Sequence, residues 1–270
     1  DAHDLRARAR WQREEGHDVA WLEGAGVRTV EAALAPEWGA GLHLPDHARV
    51  DPRRLAPALE AAVRASGVDV RTGVEVRSLV RSEDAVTGVE LADGKSIEAD
   101  TVVLAAGAWS GGISGLPRRL PLRPIKGQML SLALDRPILG GLVAGPGAYL
   151  IPREDPDGPL MVVGATMEDA GFDTATDGSS IDGLRSAAEA LVPALAGRPE
   201  RERWAGLRPA LPDGLPLIGP DPELDGLVYA TGHHRNGILL APVTARVVAG
   251  ALSGGPPDSR WAAFGPARFP

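Results

Sequence analysis

The chain has 270 residues, of which 44% are hydrophobic and 24% are charged, and its formal net charge at pH 7 is -8. This composition predicts a folded protein with a full hydrophobic core, while the negative charge argues against a nucleic-acid backbone as the partner. The sequence has no Cys, which excludes disulfides, thiolate metal ligands, a cysteine nucleophile and a flavin tethered through cysteine sulfur. We therefore expect a cytoplasmic protein.

The first part of the chain is predicted to alternate between helices and strands. Arg6, Arg8 and Arg10 line one early helix and are expected to form a solvated face. Asp51 and Pro52, followed by apolar residues at helical spacing, predict a capped helix that ends near Gly67. The pattern then predicts extended segments: a short strand VDVRT (68–72), alternating strands over 73–100, and a buried strand TVVLAAG (101–107).

The pattern of predicted elements changes at Pro117, and it returns to the α/β pattern near Arg203. Between them, segments such as PLRPIKGQMLSLAL and LMVVGAT predict antiparallel strands separated by Pro/Gly-rich turns, and SIDGLRSAAEALVPAL predicts one helix. The last third returns to a strand, LVYAT, and a helix that starts near 237–239, because Pro242 is tolerated only in the first turn. The apolar runs are too short to cross a bilayer, so no membrane span is expected.

Residues 232–242, GHHRNGILLAP, place polar side chains directly before that last helix. Free N–H groups and the positive end of the helix dipole would stabilise negative charge on a ligand there. The competing interpretation is that Asn236 merely caps a core helix and that His233 and His234 are ordinary turn residues.

Two other segments are candidates for ligand binding. The small residues Ala106 and Gly107 at the end of the strand TVVLAA would let a ligand approach the backbone closely. Arg208 lies between apolar neighbours before a proline, where its planar guanidinium would match a carboxylate ligand or form a buried salt bridge.

Other residue patterns do not indicate a metal site or a known catalytic motif. His43 and His47 have the spacing of a helical metal pair, but Pro45 between them would break the helix, so no metal site is expected. No Walker loop and no GxSxG motif occurs.

Six motifs in order carry a family resemblance: AAGAWS, PLRPIKGQML, YLIPRE, VVGATME, RWAGLRPALPDGLPLIG and GHHRNGILLAP. Together they resemble the FAD-dependent D-amino-acid oxidase family, most closely its glycine oxidase branch, which serves bacterial thiamine biosynthesis. The match runs from about Asp51 to Leu252. The resemblance implies non-covalent FAD and oxidation of a small amino acid to an imine, with O2 reduced to hydrogen peroxide. It also implies a homo-oligomer, by family a tetramer.

The resemblance implies roles for individual residues. Arg208 matches the arginine that binds the substrate carboxylate, and Tyr149 matches the tyrosine whose hydroxyl assists it. Met167 matches a residue that lines the small substrate pocket, although plain core packing is the alternative. Val76 matches the backbone contact to adenine. The flavin ring is implied to meet the segment His233, His234, Arg235, Asn236, Gly237, Ile238 and Leu239.

The fold implied is α/β: a Rossmann-like FAD-binding layer with an inserted antiparallel-sheet substrate domain of the D-amino-acid oxidase type. Residues 1–45 and 117–203 would form the substrate domain, and 46–116 and 204–270 the remaining part of the FAD-binding domain. The family's N-terminal GxGxxG unit, which holds the FAD pyrophosphate, has no counterpart in these 270 residues. We therefore expect the numbering to start inside a longer protein, and the 270 residues alone to bind FAD weakly or not at all and to show no oxidase turnover.

Three functions remain open from the sequence. The first is a glycine oxidase, and the second is a sarcosine or D-amino-acid oxidase or dehydrogenase of the same family. The third is a cofactor-free fragment that acts as a binding module.

Overall fold

The computed structural model describes residues 2–254 and 259–269. Within these residues the helices are α1 (Ala2–Glu14), α2 (Ala25–Val30), α3 (Pro52–Ala65), α4 (Gly178–Leu191) and α5 (Gly237–Leu252). The strands are β1 (Ala20–Glu23), β2 (Ala40–His43), β3 (Val76–Arg81), β4 (Val86–Leu91), β5 (Ser96–Glu98), β6 (Val102–Leu104), β7 (Arg123–Ala133), β8 (Val143–Gly145), β9 (Ala148–Asp155), β10 (Gly158–Gly164), β11 (Glu200–Ala210), β12 (Leu217–Pro220) and β13 (Leu227–Thr231). The described chain contains both helices and sheets, although β3 to β10 follow one another with no α-helix between them, and the predicted α/β class is confirmed.

The chain divides into two compact units. The first unit comprises Asp1–Asp51, Gly127–Met167 and Thr174–Gly206, and the second comprises Pro52–Lys126, Glu168–Asp173 and Leu207–Pro270. Assignment of the predicted ranges to a substrate domain and an FAD-binding domain stays a prediction.

The first unit is built on a five-stranded sheet in the order β11-β7-β10-β9-β8. Strand β9 alternates buried and half-buried residues with the period of two that one covered face requires. Helix α4 packs against the sheet core through Ile181, Leu184, Ala188 and Leu191, which recur at helical spacing and are all buried. Asp177 is the N-cap of α4, and its carboxylate accepts hydrogen bonds from the Ser180 amide and the Ser179 hydroxyl.

The second unit contains two three-stranded sheets, β12-β13-β6 and β3-β4-β5. Strand β13 pairs in parallel with β6 and antiparallel with β12, so Tyr229 faces Leu104 across one ladder and Gly219 across the other. Leu217, Leu227 and Tyr229 are almost fully buried in the core of this unit. The parallel pair matters for function because the carboxyl ends of β6 and β13 lie at the same edge of the sheet.

Most predicted elements are confirmed, and three details are corrected. The predicted strand 68–72 is absent, because the Val68 amide bonds to Val63 O in the last turn of α3 rather than to a neighbouring strand. The predicted helix 180–195 ends at Leu191, since Val192 precedes Pro193 and is forced out of the helical region; a 3-10 turn, Pro193–Leu195, follows. Strand β6 is not fully buried: Val103 is 38% exposed, because β6 is an edge strand in the part of the chain that the structure describes.

Surface properties agree with two expectations drawn from the sequence. Arg6, Arg8 and Arg10 are all exposed on α1, as predicted. Among the described residues, no helix is both long enough and apolar enough to span a membrane.

Candidate functional site

The edge where β6 and β13 end is tied together by hydroxyl groups. Thr231 Oγ1 donates to Gly107 O at 3.1 Å. Since that bond uses the only proton of the Thr231 hydroxyl, Ser110 donates the 2.9 Å bond between their hydroxyl oxygens. Gly107 has φ +55°, and no atom lies within 4 Å of the position that a Cβ would occupy. The backbone at Gly107 is therefore open, and a ligand contact at Ala106 and Gly107 stays a prediction.

The segment after β13 turns sharply into α5. Residues His234–Asn236 form a 3-10 turn, closed by a 2.9 Å bond from the Asn236 amide to His233 O. His233 Nε2 shares a 2.9 Å hydrogen bond with Thr244 Oγ1, which joins the turn to the second turn of α5. Burial lowers the pKa of His233, so its ring is neutral at pH 7.

The start of α5 has no side-chain cap, and its first apolar side chains are exposed. Asn236 occupies the N-cap position, but its side chain makes no capping hydrogen bond. Of the described α5 side chains only Thr244 is buried, and Ile238 and Leu239 are 47% and 79% exposed. Asn236 is therefore not a side-chain cap of α5. The helix itself packs against β12 and β13, with Leu240, Val243 and Val247 half-buried, so its burial is partial.

His234 combines two unusual features. Its Nε2 is buried and has no hydrogen-bond partner among the described residues, and its backbone has φ +49°. Burial lowers the pKa of His234, and the positive charges of Arg208 and Arg235 lower it further. His234 is therefore a neutral group beside two guanidinium groups rather than an ordinary turn residue.

Arg208 lies near the carboxyl end of β11 and is half-buried. Its Nη1 donates to Lys126 O at 3.4 Å. Two residues further on, Ala210 pairs antiparallel with His233, so the end of β11 lies beside the turn that leads into α5. The structure thereby brings Arg208 together with His234 and Arg235, residues that the sequence separates by more than 25 positions.

Lys126 links Arg208 to a short segment, Glu168–Asp173, of the same unit. The Lys126 and Glu168 backbones exchange two hydrogen bonds of 2.9 and 3.0 Å, and Lys126 Nζ lies 2.7 Å from Asp173 Oδ2. Lys126 is only 3% exposed. Phe172 adds a tilted ring contact to Trp109 at 5.8 Å between centroids. Sequence reasoning missed this arrangement, although a lysine within the mostly buried strand β7 was an available signal.

Tyr149 and Met167 belong to the first unit. Tyr149 is half-buried on β9, faces Gly164 of β10 in register, and donates from its hydroxyl to Met129 Sδ at 3.7 Å. The Tyr149 ring covers Gly164 so closely that a Cβ there would overlap it. Met167 is 60% exposed, so its alternative interpretation as core packing is wrong.

Val76 is the first residue of β3, an edge strand, and pairs with Leu91 of β4. Its predicted adenine contact stays a prediction.

The chain is similar in sequence to known flavoenzymes. The family model described as DAO, FAD dependent oxidoreductase, matches residues 1–251. A glycine oxidase of Pseudomonas putida is 35% identical over 92% of this chain and 67% of its own length. A bifunctional protein ThiO/ThiG of a Nostoc species is 38% identical over 89% of this chain and 36% of its own length.

Structural comparison agrees with the sequence comparison. The crystal structure of glycine oxidase from Geobacillus kaustophilus superposes with a TM-score of 0.91 at 29% identity, covering 98% of this chain and 70% of that one. The predicted D-amino-acid oxidase type of fold is confirmed. The chain spans about two thirds of the length of the glycine oxidases it matches.

Proposed function

Because this chain belongs to the DAO family of FAD-dependent oxidoreductases, we propose that it catalyses oxidation of glycine and other small amines to imines, with formation of hydrogen peroxide, in thiamine biosynthesis. The observation that carries the proposal is the Ala210–His233 bridge, which sets the carboxyl end of β11, with Arg208, beside the open start of α5. Similarity to glycine oxidases and to ThiO/ThiG proteins supports the substrate and the pathway.

The second unit has features that fit one end of a bound flavin. The first N–H groups of α5 point out of a 16-residue helix without a side-chain cap, and the unpartnered Nε2 of His234 lies just before them. Such a helix start stabilises negative charge. We propose that FAD is held non-covalently by Ala106, Gly107, the turn His233–Asn236 and the residues Gly237, Ile238 and Leu239, with Val76 at the adenine. When bound, FAD supplies the acceptor for the hydride that leaves the substrate Cα.

Arg208 is proposed to bind the substrate carboxylate. A guanidinium presents two parallel N–H donors to a carboxylate, and this charge-assisted pair contributes about 1.5–3 kcal/mol. Tyr149 is proposed to assist through its hydroxyl and Met167 to line the substrate pocket. No general base is proposed, because removal of hydride requires alignment of the Cα–H bond and an amine that is already neutral.

Two related functions are retained as candidates. A sarcosine or D-amino-acid oxidase or dehydrogenase would use the same carboxylate site, whereas a cofactor-free binding module would show no flavin absorbance after addition of FAD. We further propose a cytoplasmic location, because the sequence has no Cys, and a homotetramer, on family resemblance alone.

The test is a peroxide assay of the complete, FAD-loaded protein with glycine, sarcosine and D-alanine, repeated for Arg208→Ala. We expect glycine turnover in the native protein and a KM for glycine raised at least tenfold in the variant, with FAD retained. Arg203→Ala is the matched control, since Arg203 lies exposed on the same strand and forms an ion pair with Glu200. Equal KM values for Arg208→Ala and Arg203→Ala would refute the role of Arg208, and absence of turnover with all three amines would refute the oxidase.

A further inference from the structure

His234 has a strained backbone conformation and a buried side-chain nitrogen without a hydrogen-bond partner among the described residues. It is the only non-glycine residue with positive φ in the described part of the chain. That region is sparsely populated by residues with a Cβ, and such strain is concentrated at functional sites. The turn that imposes it also leaves His234 Nε2 buried without a partner, which native proteins seldom tolerate.

Neighbouring residues cannot complete the hydrogen bonding of this nitrogen when it carries the ring proton. Arg208 and Arg235 have donor groups only, so neither can accept a bond from an N–H at Nε2. His233, the adjacent imidazole, is already engaged with Thr244. A bound molecule with an acceptor oxygen would complete the hydrogen bonding of His234 Nε2.

The backbone pairing places an anion-binding side chain, Arg208, near this nitrogen. Arg208 lies two residues before Ala210, which pairs antiparallel with His233, and its positive charge is close enough to His234 to lower the pKa of that imidazole. Arg208 and Ala210 lie on the same face of the strand because side chains alternate with a period of two. An anion held by Arg208 is therefore next to the turn that carries His234.

We propose that His234 donates a hydrogen bond from Nε2 to the substrate carboxylate bound by Arg208, and is thereby a specificity-determining residue for amines that carry a carboxylate. This inference rests on the proposed function and assigns His234 to the substrate instead of to the flavin alone. A neutral imidazole adds directionality without a further positive charge, which suits a site that already holds two guanidinium groups. Burial supports the neutral form, since it lowers the pKa of His234.

The experiment measures carboxylate affinity separately from turnover. Acetate, which has the carboxylate and no amine, is titrated into the FAD-loaded protein while the visible flavin spectrum is recorded. For His234→Phe we expect acetate affinity to fall about tenfold and the KM for glycine to rise by a similar factor, with kcat changed less than threefold. His234→Gln, which retains an N–H donor, should restore acetate affinity to within about threefold of the native value.

Two further variants separate this role from a structural one. His234→Asn places a residue that tolerates positive φ at the same position but with a shorter side chain, so we expect an unchanged or higher Tm together with weak acetate binding. His47→Phe, on an exposed turn of the first unit, controls for the exchange of an imidazole for a phenyl ring. Equal acetate affinity in native, His234→Phe and His234→Gln proteins would overturn the inference.

Failure of the inference is distinguishable from failure of the proposed function. If His234→Phe loses FAD but binds acetate normally once reloaded, His234 serves the cofactor and the inference is wrong while the oxidase assignment stands. If the native flavoprotein binds no acetate and oxidises only amines without a carboxylate, the proposed function itself is overturned, and the substrate role of His234 with it.

Discussion

The guanidinium of Arg118 and the carboxylate of Asp221 form a two-point ion pair inside the second unit. Nε lies 3.0 Å from Oδ2 and Nη2 lies 3.2 Å from Oδ1, and the two side chains are 3% and 0% exposed. Arg118 Nη1 also donates to Phe269 O at 2.8 Å, and Tyr229 donates from its hydroxyl to Asp221 at 2.8 Å. One buried pair thus connects the loop before β7, the loop after β12 and the C-terminal segment.

We predict that Arg118→Met lowers the free energy of unfolding by about 3–5 kcal/mol, because it leaves the Asp221 carboxylate buried without its counter-charge. Asp221→Asn should cost less, because the exposed carboxylate of Glu223 still lies 3.3 Å from Arg118 Nη2. Urea unfolding monitored by tryptophan fluorescence measures this loss. The double variant Arg118→Met/Asp221→Asn should recover a large part of it, since no unpaired charge remains. Strictly additive losses in the double variant would contradict the coupling.

Acid should destabilise the first unit through Asp177. Hydrogen bonds from Gln128, from the Ser180 amide and from the Ser179 hydroxyl hold the pKa of Asp177 far below its usual range. A depressed pKa gives stability that is present above the unfolded-state value, 3.8 for Asp, and is lost as the pH falls through the folded-state value. We expect the Tm of Asp177→Asn to depend less on pH below about pH 5 than that of the native protein. Asp182→Asn, on the same helix, is the control.

Loss of the Lys126–Asp173 pair should loosen the segment Glu168–Asp173. Asp173→Asn leaves a buried ammonium group beside a neutral amide, and we expect faster amide hydrogen exchange at Phe172 with little change in the core strand β10. Asp169→Asn is a matched control, because Asp169 is exposed within the same segment. Unchanged exchange in Asp173→Asn would show that the Trp109–Phe172 contact and the backbone bonds suffice.

Tyr149→Phe is predicted to raise the KM for glycine by less than Arg208→Ala does, since only one hydroxyl hydrogen bond of about 1 kcal/mol is removed. Steady-state kinetics at saturating O2 measures both. The ring would still cover Gly164, so the sheet is expected to fold normally. Complete loss of flavin from this variant would instead assign Tyr149 to the cofactor.

Local signals in the sequence determined the elements of this protein. Hydrophobic periodicity located α3 and the strands of the first unit, and Pro242 located the start of α5, because each depends only on residues within one or two turns. The ordered motifs also identified the family, which the comparisons confirm. Arg208 was singled out for the same reason: a cation among apolar neighbours has to meet an anion.

Only the tertiary structure decided which of these residues act together. The Ala210–His233 bridge, the exposed start of α5 and the unpartnered Nε2 of His234 arise from backbone pairing between distant segments, which no local pattern encodes. The same holds for the missing strand at 68–72 and the exposed Val103, because pairing and burial depend on which neighbours are present. Composition and periodicity therefore specified the helices and strands, whereas long-range backbone pairing decided which residues lie together in the candidate site.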